Sequence, residues 1–208
     1  MVQRLESGRR DVIVLTPHPD DAEYGCWAWA HAAVRRGHRV TILLMCDPGE
    51  ERVLESVAAA TGIGARITAF THFTDGTLTS DPVVITALDA VVAQAVHPIL
   101  LSPHPEDSHQ DHRATAGIAR SVARHGTADV AYYGTPTTGQ DFHPSLYLPL
   151  TDADVAARRT ALDCHASQRG KDYLTDERLA LKDRWWGIRA AADRAEPLQA
   201  ERLTGWAL

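Results

Sequence analysis

The stretch Pro17-His18-Pro19-Asp20-Asp21 directly follows the apolar run 12–15 and directly precedes a segment with a helical pattern. A short apolar run that ends at a proline is typical of a buried strand, so the stretch is predicted to form a strand-to-helix turn. The two prolines restrict the backbone of this turn. In open α/β sheets, ligands bind beyond the carboxyl ends of the strands. Because imidazole nitrogens and carboxylate oxygens are both zinc ligands, the turn predicts a divalent metal site.

A second polar cluster occupies residues 102–112, with the sequence Ser-Pro-His-Pro-Glu-Asp-Ser-His-Gln-Asp-His. It also follows an apolar run, 99–101, and precedes a segment with a helical pattern. Two strand ends in one parallel sheet can face the same crevice. His18 and Asp21, together with either His109 or His112, would then form a His/Asp/His site with an open position. Three protein ligands plus water is the arrangement of catalytic zinc sites.

The remaining chain alternates between strand and helix patterns. Alternation at this spacing predicts an α/β, Rossmann-like, mostly parallel sheet with helices on both faces, in a single domain over residues 1–208. Strands are predicted at 11–15, 39–45, 66–70, 99–102, 130–133 and 145–150. Helices are predicted at 22–36, 51–61, 81–96, 109–125, 152–164 and 183–194.

Composition restricts the class of protein. The chain has 208 residues, of which 44% are hydrophobic and 23% charged, with a net charge of −6. This balance is typical of a globular protein that does not bind nucleic acid. No segment approaches the roughly 18 consecutive apolar residues of a membrane span. The scattered cysteines Cys26, Cys46 and Cys164 favour reduced thiols and a cytoplasmic location. We expect a small-molecule substrate as the partner, and the sequence leaves a homo-oligomer open.

The paired motifs resemble those of the PIG-L (LmbE-like) family of metal-dependent N-deacetylases. The resemblance rests on His-Pro-Asp-Asp at 18–21 and His-Gln-Asp-His at 109–112, and it covers most of the chain. It implies that His18, Asp21 and His112 bind the metal, which would be Zn²⁺ or, as an alternative, Fe²⁺. It also implies that Asp20 is the general base and that His109 acts as an acid and stabilises the oxyanion.

Different roles for the adjacent Asp20 and Asp21 are also expected from their chemistry. Adjacent carboxylates cannot both point at one ion without strain, so one can bind the metal while the other takes a proton from water. A metal lowers the pKa of that water towards about 7, so a carboxylate can complete the deprotonation.

Two interpretations of Asp111 stay open. Ser108-His109-Gln110-Asp111 fits a capping box, in which Asp111 has only a structural role. Alternatively, Asp111 takes part in catalysis or holds the tautomer of a neighbouring histidine. His104 and Asp107 are expected to be loop residues that do not bind the metal.

Three weaker signals concern the substrate. Arg52 begins an Arg-x-x-Glu pattern like the family's substrate-contacting arginine, although a surface ion pair with Glu55 is the alternative. Asp75 precedes Gly76 as in the family's Asp-Gly turn, whose aspartate can bind a sugar hydroxyl, and a plain turn is its alternative. His165 begins the family's late His-x-Ser-Gln pattern, which implies a role either in the pocket lining or in contact with the residues that form it. A polar helix end is its alternative.

The chain also departs from the family pattern. Where the family has Glu and then a Gly-Gly pair, this chain has Ala22 and then Trp27-Ala28-Trp29. These indoles, and those of Trp185 and Trp186, either narrow the crevice or pack in the core. The departures leave the proposed metal ligands intact and leave the substrate open.

The resemblance implies a zinc-dependent amidohydrolase that removes an N-acyl group, most simply acetyl, from an amino-sugar derivative. An amide in a thiol conjugate or a secondary-metabolite intermediate is the nearest alternative. Two histidines and one carboxylate also form the facial triad of non-haem iron oxygenases, but those enzymes usually use all-β barrels. A non-catalytic sugar-binding module is a further alternative, and Asp20 argues against it because a binder needs no general base.

Overall fold

Our computed structural model describes residues 8–70 and 72–204. A seven-stranded sheet has the order β3-β2-β1-β4-β5-β7-β6, and its first five strands are parallel. Its strands are β1 (Asp11–Thr16), β2 (Arg39–Leu44), β3 (Arg66–Ala69), β4 (Ile99–Pro103), β5 (Asp129–Tyr133), β6 (Leu146–Pro149) and β7 (Ala195–Arg202). Its helices are α1 (Asp21–Gly25), α2 (Trp27–Arg35), α3 (Glu50–Ile63), α4 (Pro82–Ala93), α5 (Gln110–Ala123), α6 (Asp152–Cys164) and α7 (Asp176–Arg189). The predicted α/β fold with a mostly parallel sheet is confirmed.

Helices cover both faces of the sheet because the buried strands are apolar on both sides. In β1, Val12 and Val14 pack with residues of α2, α3 and α6. Ile13 and Leu15 point to the opposite face and pack with residues of α4 and α5. All six residues of β1 are buried, as expected for the central strand of a parallel sheet.

The strand order reverses between β1 and β4. From β1 the chain proceeds to β2 and β3 on one side, and then returns to place β4 on the other side of β1. The turns that follow β1 and β4 therefore flank a switch point, where open α/β sheets form their ligand crevice. These turns carry the two polar clusters.

The structure differs from the sequence prediction in three elements. The single helix predicted at 22–36 is two helices, α1 and α2, because the backbone leaves helical geometry at Cys26 (φ −148°, ψ 21°). The helix predicted at 183–194 is α7, which begins at Asp176 and ends at Arg189. Strand β7 was not predicted, because its sequence AEPLQAER contains a proline and does not alternate. It pairs antiparallel with both β5 and β6.

The four tryptophans in question lie away from the crevice between the polar clusters. Trp27 and Trp29 are buried in the core, and the indole N–H of Trp29 donates to the Glu196 carbonyl. Trp185 and Trp186 line a separate cavity of about 390 Å³. Among the described residues, no helix is long and apolar enough to cross a membrane.

We expect Gly25→Ala to destabilise the fold. An alanine Cβ would lie 2.3 Å from the Tyr133 ring and 2.7 Å from the Gly134 carbonyl oxygen, so the substitution overpacks the junction of α1 and α2. The expected loss of unfolding free energy is about 1–3 kcal/mol. Gly62→Ala is the control, because its Cβ meets open space within α3. It should be neutral or stabilise by up to about 1 kcal/mol. Urea unfolding checks both, and equal effects would contradict the packing argument.

Candidate active site

The crevice at the switch point contains a cavity of about 260 Å³. The turn after β1 contributes His18, Asp20 and Asp21, and the start of α5 contributes His109 and His112. Residues separated by about ninety positions in the sequence thus meet because β1 and β4 are neighbours in the sheet.

Three of these side chains converge on one point. Asp21 Oδ2 lies 3.1 Å from His18 Nδ1 and 3.2 Å from His112 Nε2. One ligand atom from each residue falls within 4.8 Å of the other two. All three residues are buried, so the cluster is a candidate metal site with the ligand types that zinc prefers.

The hydrogen bonding of His112 shows whether a metal ion fits this cluster. Its Nε2 is buried and has no hydrogen-bond partner, although it lies close to Asp21. Its other nitrogen, Nδ1, lies 3.2 Å from the buried Asp107 carboxylate, which can accept a hydrogen bond from it. A carboxylate behind the histidine fixes the tautomer in metal sites and leaves Nε2 free to bind the ion. The residues present therefore fit a divalent cation.

Electrostatics around the cluster also favours positive charge. Burial alone would lower the pKa of His18, but the hydrogen bond and the charge of Asp21 outweigh burial and raise this pKa to about 11. At His112, burial is likewise outweighed by Asp21 and Asp107, which raise the pKa to about 9. Burial would raise the pKa of Asp21, yet His112 and His18 hold it well below its usual range. In the metal-free protein, protons on His18 and His112 therefore offset part of the negative charge of the nearby carboxylates.

Asp111 contacts the His18 nitrogen that faces away from Asp21. Its Oδ2 lies 3.0 Å from His18 Nε2 and accepts the N–H of Gly76 at 2.7 Å, while its Oδ1 accepts the N–H of Leu78 at 3.0 Å. Asp111 lies inside α5, and the Ser108 hydroxyl instead donates to the Thr137 carbonyl. The capping-box interpretation of Asp111 is therefore wrong.

His109 is the N-cap of α5. Its Nδ1 accepts the backbone N–H of Asp111 at 3.2 Å. Burial, together with nearby His112 and His18, lowers the pKa of His109. Because Nδ1 is an acceptor, Nε2 carries the ring proton, and His109, which lines the cavity, has this N–H to donate.

Asp20 adopts a left-handed backbone conformation with φ 91°, which is uncommon for any residue except glycine. This conformation allows two consecutive aspartates to line the same cavity. Burial and the charge of Asp21 raise the pKa of Asp20 to about 6, and Lys171 opposes that shift. Lys171 Nζ donates to Asp20 Oδ2 at 2.8 Å, and the Tyr173 hydroxyl lies 3.5 Å from the same oxygen.

The three residues expected to contact substrate have different locations. Arg52 and Asp75 line the cavity, and Asp75 Oδ1 lies 3.2 Å from His18 Nε2. His165 does not line this cavity. It is 1% exposed and its Nε2 contacts the buried Glu23 carboxylate at 2.9 Å, and its expected role in the site stays a prediction.

The sequence did not point to several residues that complete the site. Asp107 accepts hydrogen bonds from three threonine hydroxyls and from the His109 N–H, in addition to its contact with His112. The threonines are Thr135, Thr137 and Thr138. Lys171 and Tyr173 reach the cavity from a distant segment. The cluster of threonines in a loop after β5 was the available signal for the Asp107 contacts.

We expect Asp107→Asn to weaken metal binding by about 10–100-fold, because the amide cannot hold His112 as a carboxylate does. Titration with Zn²⁺ in the presence of a competing chelator measures the affinity. The control is Glu106→Gln, which removes a charge from the adjacent, exposed position. Equal affinities in the two variants would contradict the supporting role of Asp107.

Metal binding should release about two protons per ion at pH 7.5. At this pH, below their raised pKa values of about 11 and about 9, His18 and His112 are protonated in the metal-free protein. Each must lose a proton to bind the ion, so the apparent affinity should rise with pH. Calorimetry in two buffers of different ionisation enthalpy measures the release. Identical enthalpies in both buffers would contradict it.

The chain is similar in sequence or in fold to several known proteins. The chain is 25% identical over 171 residues to the uncharacterized deacetylase YaiS of Escherichia coli (strain K12), covering 76% of this chain and 92% of that protein. The N,N'-diacetylchitobiose deacetylase from Pyrococcus horikoshii superposes with a TM-score of 0.72 at 18% identity, covering 99% and 88% of the two chains. GalB, the 4-carboxy-2-hydroxymuconate hydratase from Pseudomonas putida KT2440, superposes with a TM-score of 0.76 at 18% identity, covering 96% and 100%.

The family comparison covers both polar clusters. The family described as PIG-L: GlcNAc-PI de-N-acetylase matches residues 13–123, which is more than half of the chain. The match begins in β1, ends with α5 and includes the histidines and aspartates that converge in the cavity. The chain therefore belongs to the PIG-L family of deacetylases.

Proposed function

We propose that this protein is a metal-dependent hydrolase that removes an acetyl group from the nitrogen of an amino-sugar derivative. The observation that carries the proposal is the buried, unpartnered His112 Nε2 beside Asp21 and His18, with the Asp20 carboxylate next to them. A site of two imidazoles and one carboxylate with an adjacent base is suited to activating water.

His18, Asp21 and His112 would hold the ion. When bound, a divalent ion polarises a carbonyl oxygen and lowers the pKa of water, which is the chemistry that amide hydrolysis needs. The mixed nitrogen and oxygen ligands suit Zn²⁺, and Fe²⁺ accepts the same set. Asp111 and Asp107 then orient the two imidazoles through their outer nitrogens.

Asp20 carries the proton. Both of its side-chain hydrogen bonds, from Lys171 and Tyr173, end on Oδ2, which leaves Oδ1 to accept a proton from the attacking water. As the amide C–N bond breaks, the protonated carboxyl returns that proton to the departing nitrogen. The products are acetate and a free amine, and Asp20 recovers its charge.

His109 stabilises the carbonyl oxygen. Because its Nδ1 accepts a backbone N–H, its Nε2–H is the donor that can meet the negative charge that develops on that oxygen. A neutral donor is sufficient here, since the proton for the leaving amine comes from Asp20.

The substrate class rests on the relatives. YaiS is named a deacetylase, and the P. horikoshii relative is named for a diacetylated amino sugar. An amide of a thiol conjugate or of a secondary-metabolite intermediate is the nearest alternative, and the same residues would serve it. The α/β sheet removes the all-β architecture on which the oxygenase alternative depended.

We expect the zinc-loaded protein to release acetate and amine in equal amounts from N-acetylglucosaminyl compounds. Asp20→Ala should lower kcat by about 10²–10⁴-fold through loss of the base. A chelator should abolish turnover, and added Zn²⁺ should restore it. Because GalB is named a hydratase, both products must be measured rather than loss of substrate alone. Activity that survives in both the variant and the chelated protein would refute the mechanism. Arg178→Gln, an exposed change on α7, is the control.

A further inference from the structure

Two cationic side chains lie beside the turn that carries the acidic residues. Lys171 Nζ donates to Asp20 Oδ2, and Arg52 Nη2 donates to the Pro19 carbonyl at 3.3 Å. Arg52 and Lys171 both line the cavity, and they contact consecutive residues of this turn, Pro19 and Asp20. The sequence contains two lysines, and the other, Lys182, is half-buried and donates to the Tyr24 carbonyl outside this cavity.

Both cations have donors to spare. An ammonium group has three N–H donors, and the Asp20 carboxylate occupies one of those of Lys171, whose side chain is 35% exposed. A guanidinium has five donors. Arg52 Nε is buried without a hydrogen-bond partner, and within the described ranges no ion pair closer than 4.0 Å includes Arg52. Unused donors on two neighbouring cations match an anionic group on a bound molecule.

Negative charge in the cavity is already committed elsewhere. Asp21 faces the two imidazoles, Asp20 is paired with Lys171, and Asp75 lies beside the far nitrogen of His18. Lys171 and Arg52 therefore bring two positive charges to the cavity lining, and among the described residues Asp20 is the one carboxylate within 4.0 Å of either. This part of the lining is suited to an anion, although the whole chain carries a net charge of −6.

We propose that Lys171 is a specificity-determining residue that, with Arg52, binds a carboxylate or phosphate group on the amine side of the substrate. The assignment of the amine side rests on the proposed function. Asp20 returns a proton to the departing nitrogen, so a cation in contact with Asp20 lies next to the amine portion rather than the acyl portion. Lys171 also keeps Oδ2 of Asp20 fixed, and it therefore acts as a positioning residue in the same complex.

Three matched probes test the proposal: the methyl glycoside, the carboxymethyl glycoside and the 1-phosphate of N-acetylglucosamine. The first is neutral, and the others carry the two candidate anions. The wild-type protein should show a KM at least about tenfold lower for one of the anionic probes than for the methyl glycoside. Which probe gains more distinguishes carboxylate from phosphate.

Variants assign that preference to Lys171. Lys171→Gln should reduce the KM difference between anionic and neutral probes to less than about twofold, while kcat falls by the same factor for all probes. Lys171→Arg should retain most of the difference, because the charge is kept. Arg178→Gln removes a cation that pairs with the exposed Asp172, outside the cavity, and should leave the difference intact. A KM difference that is absent in the wild type, or that survives in Lys171→Gln, overturns the proposal.

Calorimetry on the chelated protein separates this proposal from the proposed function. Without an ion, phosphate cannot bind through metal, so tighter binding of an anionic probe must come from the protein. That preference should be present in the wild type and lost in Lys171→Gln, whether or not acetate is released. Equal binding of all three probes overturns the anion subsite even if the methyl glycoside is deacetylated. Charge-dependent binding without acetate release supports the subsite and counts against the deacetylation.

Discussion

The site depends on one shared carboxylate, Asp21, whose Oδ2 lies between His18 Nδ1 and His112 Nε2. A buried carboxylate is costly unless a positive charge and hydrogen bonds compensate it. Behind each imidazole stands a further buried carboxylate, Asp111 or Asp107, so the cluster has a strong excess of negative charge. That excess explains why both histidines hold protons so tightly. A dication can replace those two protons at the same point, and the ligand atoms already lie close enough to share one ion.

Topology makes this concentration of charge possible. The turns after β1 and β4 meet because the strand order reverses there, and both open at the carboxyl ends of buried parallel strands. Backbone groups of neighbouring loops then satisfy the outer carboxylates, as the N–H groups of Gly76 and Leu78 do for Asp111. The left-handed backbone at Asp20 adds a second carboxylate to the same cavity. Strain of this kind, of order 1–3 kcal/mol, persists only where the surroundings enforce it.

The sequence predicted the parts of the site in which metal-binding residue types directly follow an apolar strand. His18 and Asp21 follow one apolar strand, and His109 and His112 follow another, so the strand ends alone predicted that His18 and Asp21 meet one of these two histidines. The choice of His112 came from the resemblance to the family. The contacts of Asp107 with the threonines span about thirty residues, and the contact of Lys171 with Asp20 spans 151. No local pattern encodes such distances.

Two elements were missed or misplaced because their sequences are polar: strand β7 and the first turn of helix α7. Strand β7 is bounded by two antiparallel neighbours, and its sequence lacks the apolar run that identified β1 and β4. The N-terminal turn of α7 is strongly polar, so its apolar pattern begins too late to mark Asp176 as the start.

The Lys171–Asp20 contact links the requirements of catalysis and of recognition. Burial and Asp21 both favour the neutral form of Asp20, whereas a general base must be ionised, so a cation at 2.8 Å maintains the charge that the base needs. That cation then stands in the cavity whatever the substrate is. The acidic surface of the chain would repel an anionic substrate at long range, but salt screens such repulsion beyond about 8 Å. Discrimination between charged and neutral substrates therefore has to occur at contact, where Lys171 and Arg52 have unused donors, rather than during diffusion to the site.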